Sequence, residues 1–262
     1  MADANVRFTV FTKPWRMDLP ELGKFIAGLG FDGIELPVRP GYPVLPENVG
    51  KDLPKAVKIL GDFGVTIDSI AGPTDEPTIA ACAEANVPVI RVCESVGPEP
   101  YMEWEARRQR EFDALVPLLS KYGVTLGIQN HYGTCVANAM GILHLIEKYD
   151  PKAVGAVWDC AHNGLHGEEP EMALDIVWSH LCLVNFKSAF WLRINGPEAK
   201  CAEWSPYFTT GRHGLSKWPR VADELKKRNY KGAICLTAEY SDEESVDRLI
   251  AKDIKFAKSL FV

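Results

Sequence analysis

The chain of 262 residues is 47% hydrophobic and carries a net charge of −6, enough apolar material for a sizeable core and too little basic character to suggest nucleic acid or an anionic membrane as the main partner. Its seven cysteines are scattered, with no CxxC pair, and read as the reduced thiols of a cytoplasmic protein, not as a disulfide framework or a zinc knot. The N-terminal MADANVRFTVF has neither a basic flank nor a long apolar stretch, so no signal peptide is expected, and no apolar run approaches the roughly 20 residues of a membrane span.

Residues 7–12 (RFTVFT) give the first predicted strand, rich in β-branched and aromatic residues. A helix over 19–29 follows, with Leu22, Phe25, Ile26 and Leu29 at helical spacing and Gly30 ending it. FDGIEL (31–36) is the second strand, closing near Glu35, and the proline-rich stretch 37–46 is loop. A helix over 53–63 leads through Gly64 to VTIDSI (65–70), the third strand. A short helix over 76–85 precedes the fourth, VPVIRV (87–92). After a loop holding Pro98, Pro100, Tyr101, Met102 and Trp104, an amphipathic helix places Phe112, Leu115, Val116 and Leu119 at i, i+3, i+4 and i+7. It feeds VTLGIQNHYG (124–133), a fifth strand whose end turns polar just before a glycine.

Ala139, Ile142, Leu143 and Ile146 repeat the helical spacing, and VGAVW (154–158) is the sixth strand, ending in Asp159. A helix over 171–178 precedes the seventh, 181–186. A long aromatic segment, 188–216, then intervenes before a helix over 218–228. The eighth strand, 233–238, ends in Glu239, and Ser241 with Glu244 three residues on reads as a capping box for the last helix. Eight strands alternating with helices over 1–262 predict a single (β/α)8 TIM barrel without a second domain. A doubly wound sheet would want a glycine-rich phosphate turn after the first strand, and FTKPW is no such turn.

In such a barrel every strand C-terminus faces one mouth. Side chains alternate faces, so Gln129 and His131 point the same way, Asn185 and Lys187 share a face, and Glu239 shares one with Thr237 and Cys235. His131 reads as a ligand, a proton carrier or a hydrogen-bonded support. Lys187 enters the mouth as an electrophile, or as the ion-pair partner of Asp159 or Glu239. Glu35 either touches substrate or supports Arg91 or Lys13. His213 enters from the loop after the seventh strand. The aromatic segment offers Trp191 and Trp204 to stack on a sugar ring, with packing over a neighbouring subunit of a homo-oligomer as the alternative.

FDGIEL, the N-H-x-G ending of the fifth strand, the D-x-x-H of Asp159 and His162, and a late block from Gly211 to Glu239 together resemble the sugar phosphate isomerases/epimerases of the xylose isomerase-like TIM-barrel superfamily. That resemblance implies a divalent cation held from strands five, six, seven and eight, at Gln129, Asp159, Asn185 and Glu239. Only Asp159 and Glu239 keep the family's residue types, the usual glutamate and histidine being replaced by amides. Two carboxylates and two amides suit Mg²⁺ or Mn²⁺ better than zinc. It also implies that His162 contacts substrate. The resulting expectation is an isomerase, epimerase or lyase acting on a sugar, sugar phosphate or polyol by proton abstraction next to a carbonyl. Glu239 is then the base, with Lys187, His131 and His162 as proton carriers or electrophiles. The competing reading is a sugar-binding barrel that has lost catalysis together with the usual metal set. An endonuclease-like relative is disfavoured by the acidic charge.

Overall fold

In the computed structural model, which describes residues 6–262, eight parallel strands close into a barrel: β1 (Arg7–Phe11), β2 (Gly33–Pro37), β3 (Thr66–Ala71), β4 (Val89–Cys93), β5 (Thr125–Gln129), β6 (Val154–Asp159), β7 (Leu181–Phe186) and β10 (Ala233–Leu236). Each strand pairs with the next in sequence, and β10 closes the ring between β7 and β1. The helices α1 (Leu19–Leu29), α2 (Val49–Gly61), α3 (Glu76–Glu84), α4 (Tyr101–Tyr122), α5 (Ala139–Ile146), α6 (Cys160–Leu165), α7 (Pro170–Val177), α8 (Trp218–Lys227) and α9 (Val246–Ser259) fill the intervals. This is the expected (β/α)8 barrel.

Local chemistry sets the boundaries. The Asp18, Asp75 and Asn138 side chains each accept the backbone N–H three residues on, capping α1, α3 and α5. α1 and α4 end on Gly30 and Gly123, which take the left-handed conformation that a helix stop requires. The main core lies between strands and helices, where Trp104, Phe112, Trp158 and Trp218 are fully buried. Inside the barrel, beneath the mouth, a smaller apolar plug of Phe11, Ala71, Val157, Leu183 and Cys235 excludes water. No described helix is long and apolar enough to cross a membrane.

Three local expectations are corrected. The aromatic segment is not loop: β8 (Ser188–Arg193) and β9 (Trp204–Thr209) form an antiparallel hairpin, registered from Ser188↔Thr209 to Arg193↔Trp204. Ser241 does not cap α9. Its hydroxyl accepts the Phe208 N–H at 2.9 Å while its own N–H donates to the Phe208 carbonyl, fastening the hairpin to the segment after β10. Tyr101, Met102 and Trp104 belong to α4, which begins directly after Pro100 and draws Trp104 into the core, its Nε1 donating to the Ser95 carbonyl.

Candidate active site

β6 ends in Asp159, and the side chain of Asp159 caps the short helix α6 that starts at the next residue. Its Oδ1 accepts the N–H groups of Ala161 and His162 at 2.9 and 3.2 Å. From the neighbouring strand, Asn130 grips the same residue from outside the barrel. Its Oδ1 accepts the Asp159 N–H at 2.7 Å and its Nδ2 donates to the Asp159 carbonyl at 3.0 Å. Gln129, one residue earlier on β5 and facing in, donates from Nε2 to Asp159 Oδ2 at 2.9 Å. Its oxygen accepts Arg91 Nη1, also at 2.9 Å. The Arg91 guanidinium lies across Glu35, with Nε 3.0 and 3.1 Å from the two carboxylate oxygens and Nη2 on the same group. Ser69 donates to Glu35 at 3.1 Å. The floor of the mouth is thus one chain of bonds, Ser69–Glu35–Arg91–Gln129–Asp159, with every member resolved to one orientation.

On the opposite wall, Lys187 points from the end of β7 into the mouth. Cys160 and the Trp218 indole both donate to its backbone carbonyl at 3.1 Å. Its ammonium donates to Glu239 Oε2 at 2.5 Å and sits 4.1 Å from the centre of the Phe208 ring. Lys13 donates to the other Glu239 oxygen at 2.6 Å. Burial alone would raise the Glu239 carboxyl, but the Lys187 and Lys13 ammonium groups overcome it and hold the group far below the usual carboxylate range. Asp159 behaves oppositely: burial raises it despite Lys187 and the two backbone donors.

Between the two walls stand His131 and His162, their ring centres 4.1 Å apart, with Tyr132 stacked on both. His131 Nδ1 lies 2.9 Å from the Tyr132 carbonyl. A carbonyl only accepts, so Nδ1 carries the proton and Nε2 is left as an acceptor. Burial lowers the pKa of His131, and lowers that of His162 well below the ordinary value. Both rings are therefore neutral at pH 7. His162 is fully buried with neither ring nitrogen hydrogen-bonded.

The structure brings Glu35, Gln129, His131, Asp159, His162, Asn185, Lys187 and Glu239 to one mouth. Not all of these are open to a ligand, and Trp191, Trp204 and His213 lie elsewhere. Glu35 is 1% exposed and spent on Arg91. Trp191 packs edge-on against Tyr132 with its Nε1 on the Leu165 carbonyl. Trp204, 57% exposed, sits at the far end of the hairpin, and the hairpin residue that does reach the mouth is Phe208. His213 bonds to Thr210 and lines a separate cavity of about 420 Å³ beside Asp253. Its flanking glycines pack: a Cβ on Gly211 would meet the Trp218 ring at 2.3 Å, and one on Gly214 the Ala189 backbone at 2.7 Å. Arg91 was detectable in sequence as the lone charge in VPVIRV, on the same face as Val89 and Cys93. Tyr132 and Phe208 carried no such signal.

Gln129, Asp159, Asn185 and Glu239 converge, and Asp159 and Asn185 are register partners. Their donor chemistry nevertheless does not fit a divalent ion. Gln129 presents its amide nitrogen to Asp159 and spends its oxygen on Arg91. Both Glu239 oxygens hold ammonium groups. Only Asn185 Oδ1 is buried without a partner, and Lys187 already places a positive charge among them. Among the described residues there is no cluster of three or more His, Cys, Asp or Glu arranged to hold an ion. The expected Mg²⁺ or Mn²⁺ site is not what these side chains build.

The family model described as xylose isomerase-like TIM barrel matches residues 24–260. No curated protein sequence matches the chain. Among solved structures, the chain superposes on a D-psicose 3-epimerase with D-tagatose from Clostridium cellulolyticum at a TM-score of 0.75 and 12% identity, covering 98% of this chain and 99% of that one. It superposes on the probable 3-DHS dehydratase AsbF of Bacillus anthracis at 0.73 and 14%, covering 97% and 99%. For the 3-keto-D-glucoside 4-epimerase YcjR of E. coli the values are 0.72 and 12%, again covering 97% and 99%. At these identities the likeness is one of fold.

Proposed function

Since the chain belongs to the xylose isomerase-like TIM barrel family, we propose that it is an enzyme that moves a proton at the carbon next to a carbonyl of a sugar or related polyol, as an isomerase or a lyase, with Lys187 in the cationic role. The observation that carries this reading is the Lys187 ammonium. It is 4% exposed, pinned by Glu239, and stands in a mouth whose two histidines are neutral.

Removing the proton leaves an enediolate, whose oxygen needs a positive partner. Lys187 supplies it, and Glu239 aims the ammonium. The proton goes to Nε2 of His131, the free acceptor of a neutral ring. Glu239 is a poor base while two ammonium groups hold it deprotonated and occupied, so the base role read from sequence passes to His131. His162, fully buried with its ring centre 4.1 Å from that of His131, holds that ring in place from behind. Names such as epimerase and dehydratase among the structural neighbours support carbon–proton chemistry of this kind.

The test is incubation of a ketose and sugar-acid panel in D₂O with NMR of carbon-bound exchange, in the presence of EDTA. Exchange is expected from the wild type, with Lys187→Met lowering it about 10²–10³-fold, the usual cost of deleting one charge-stabilising donor. Exchange that survives Lys187→Met at full rate overturns the assignment.

A further inference from the structure

The charged groups of the mouth do not balance. Glu35, Asp159 and Glu239 face Lys13, Arg91 and Lys187, and each of these three cations has a carboxylate partner or the field of one. Arg39 is the fourth cation. It lines the inner cavity of about 200 Å³ together with Arg91, Gln129, Thr237 and Glu239, and has no side-chain hydrogen bond or ion pair among the described residues. A chain of net charge −6 thus keeps a half-buried positive charge without a partner in this cavity.

The backbone beneath Arg39 is fixed. Val38 bridges Val44, and its N–H donates to the Ala71 carbonyl at 2.9 Å. The Tyr42 N–H returns to the Arg39 carbonyl at 3.3 Å while the Tyr42 hydroxyl donates to the Lys13 carbonyl at 2.8 Å. Gly41, at φ +82°, lets this turn close, and its carbonyl accepts Arg16 at 3.0 Å. The segments that carry Arg39 and Lys13 are therefore bound to each other, and the guanidinium stands 5.9 Å from the Phe11 ring centre. A second group in the same cavity is also unanswered: the Thr237 hydroxyl is buried with no hydrogen-bond partner. Buried hydroxyls are seldom left so unless something else completes them.

We propose that the substrate is an acidic polyhydroxy compound, its carboxylate or phosphate bound by Arg39 and a neighbouring hydroxyl by Thr237, with the reacting carbonyl directed to Lys187. A guanidinium fork is suited to two oxygens of one oxyanion, and one negative charge neutralises the mouth. The inference rests on the carbon-acid reading only for which end of the substrate reacts.

The experiment is calorimetric titration of the full chain with D-fructose, D-fructose 6-phosphate and D-fructuronate, for wild type, Arg39→Gln, Arg39→Lys and Thr237→Val, each variant first checked for an unchanged melting temperature. At least one acid is expected to bind about tenfold more tightly than the neutral ketose. Arg39→Gln should bring that preference below about twofold, Arg39→Lys should retain part of it, and Thr237→Val should weaken acid and neutral ligands alike. The acid that binds more tightly identifies the group as phosphate or carboxylate. Absence of Arg39-dependent binding to either acid overturns the proposal, as does a neutral ketose that binds wild type equally well. Carbon-bound deuterium exchange run alongside separates the two readings. Exchange on the neutral ketose that ignores Arg39 rejects the acid alone, whereas Arg39-dependent binding without exchange rejects the chemistry alone.

Discussion

Replacing Arg91 by leucine should be among the most damaging single changes in the barrel, and its cost can be worked from the floor of the mouth. The guanidinium is 10% exposed and Glu35 1%. Three contacts join them, and the Ser69 hydroxyl is the other donor to that carboxylate. Removing one member of a buried pair strands the other and costs about 3–5 kcal/mol. The Gln129 oxygen loses its guanidinium donor as well, adding about 1 kcal/mol. At roughly 2–4 °C per kcal/mol for a chain of this size, the melting temperature should fall by about 8–24 °C. Urea unfolding followed by circular dichroism measures the free energy, with an unchanged m-value showing that the unfolded state is the same. Glu35→Gln in the Arg91→Leu background removes the stranded charge and should recover about 2 kcal/mol, so the cycle is strongly non-additive. A cost below about 1 kcal/mol, or an additive cycle, would show that water reaches Glu35 and that the chain of bonds is not a unit.

Other predictions concern protons and packing. Because burial lowers the His131 pKa, an activity that uses its neutral ring should fall as pH drops with a midpoint below that of an ordinary histidine at about 6.5; a midpoint above 6.5 would reject His131 as the carrier. Burial raises Asp253 to about 6, against hydrogen bonds from Tyr240 and Gly211 that lower it. A carboxyl raised above its unfolded value contributes stability that is complete below pH 3.8 and lost as pH rises through about 6, so wild type should lose about 2–3 kcal/mol across that window. Asp253→Asn should flatten that slope in pH-dependent unfolding, and an unchanged slope would reject the assignment. Phe208→Leu, which removes the ring beneath the Lys187 ammonium, should lower carbon–proton exchange about five- to thirtyfold, since a desolvated cation–π contact contributes about 1–2 kcal/mol. Trp204→Ser at the hairpin tip should leave exchange within twofold, and a larger loss would place that tip over the mouth.

Strand identity was legible because each strand of the closed ring is buried on both faces and reads as a short apolar run bounded by glycine or proline. The polar residue closing β5, β6 and β7 was legible for the same reason: Gln129, Asp159 and Lys187 interrupt such runs at their C-terminal ends. The β8–β9 hairpin was not. Trp191, Leu192, Ile194 and Trp204 are substantially exposed, so no buried face imposes alternation, and Pro206, which forms a ladder pair with Trp191, argues locally against a strand. Ser241 and Glu244 matched a capping box by spacing, but the open N–H and carbonyl of Phe208, thirty-three residues back in the chain, competed for Ser241. Such a partner is a tertiary fact. The Arg39 turn was hidden likewise, since the proline-rich stretch carries no periodicity and its geometry depends on Tyr42 reaching Lys13.

The amide at position 129 follows from the neighbours on its two sides. Arg91 can only donate and the Asp159 carboxylate can only accept, and each lies 2.9 Å from opposite ends of the side chain. An amide is the group with one strong acceptor and one strong donor at that separation. A glutamate there would satisfy Arg91 but set a second carboxylate oxygen against Asp159, tolerable only with a cation between them. The Lys187 ammonium enters the same mouth from the end of β7, two residues beyond Asn185, and pairs with Glu239 at 2.5 Å. Gln129 is thus the residue its two hydrogen bonds select, whereas the Asn185 oxygen is buried without a partner.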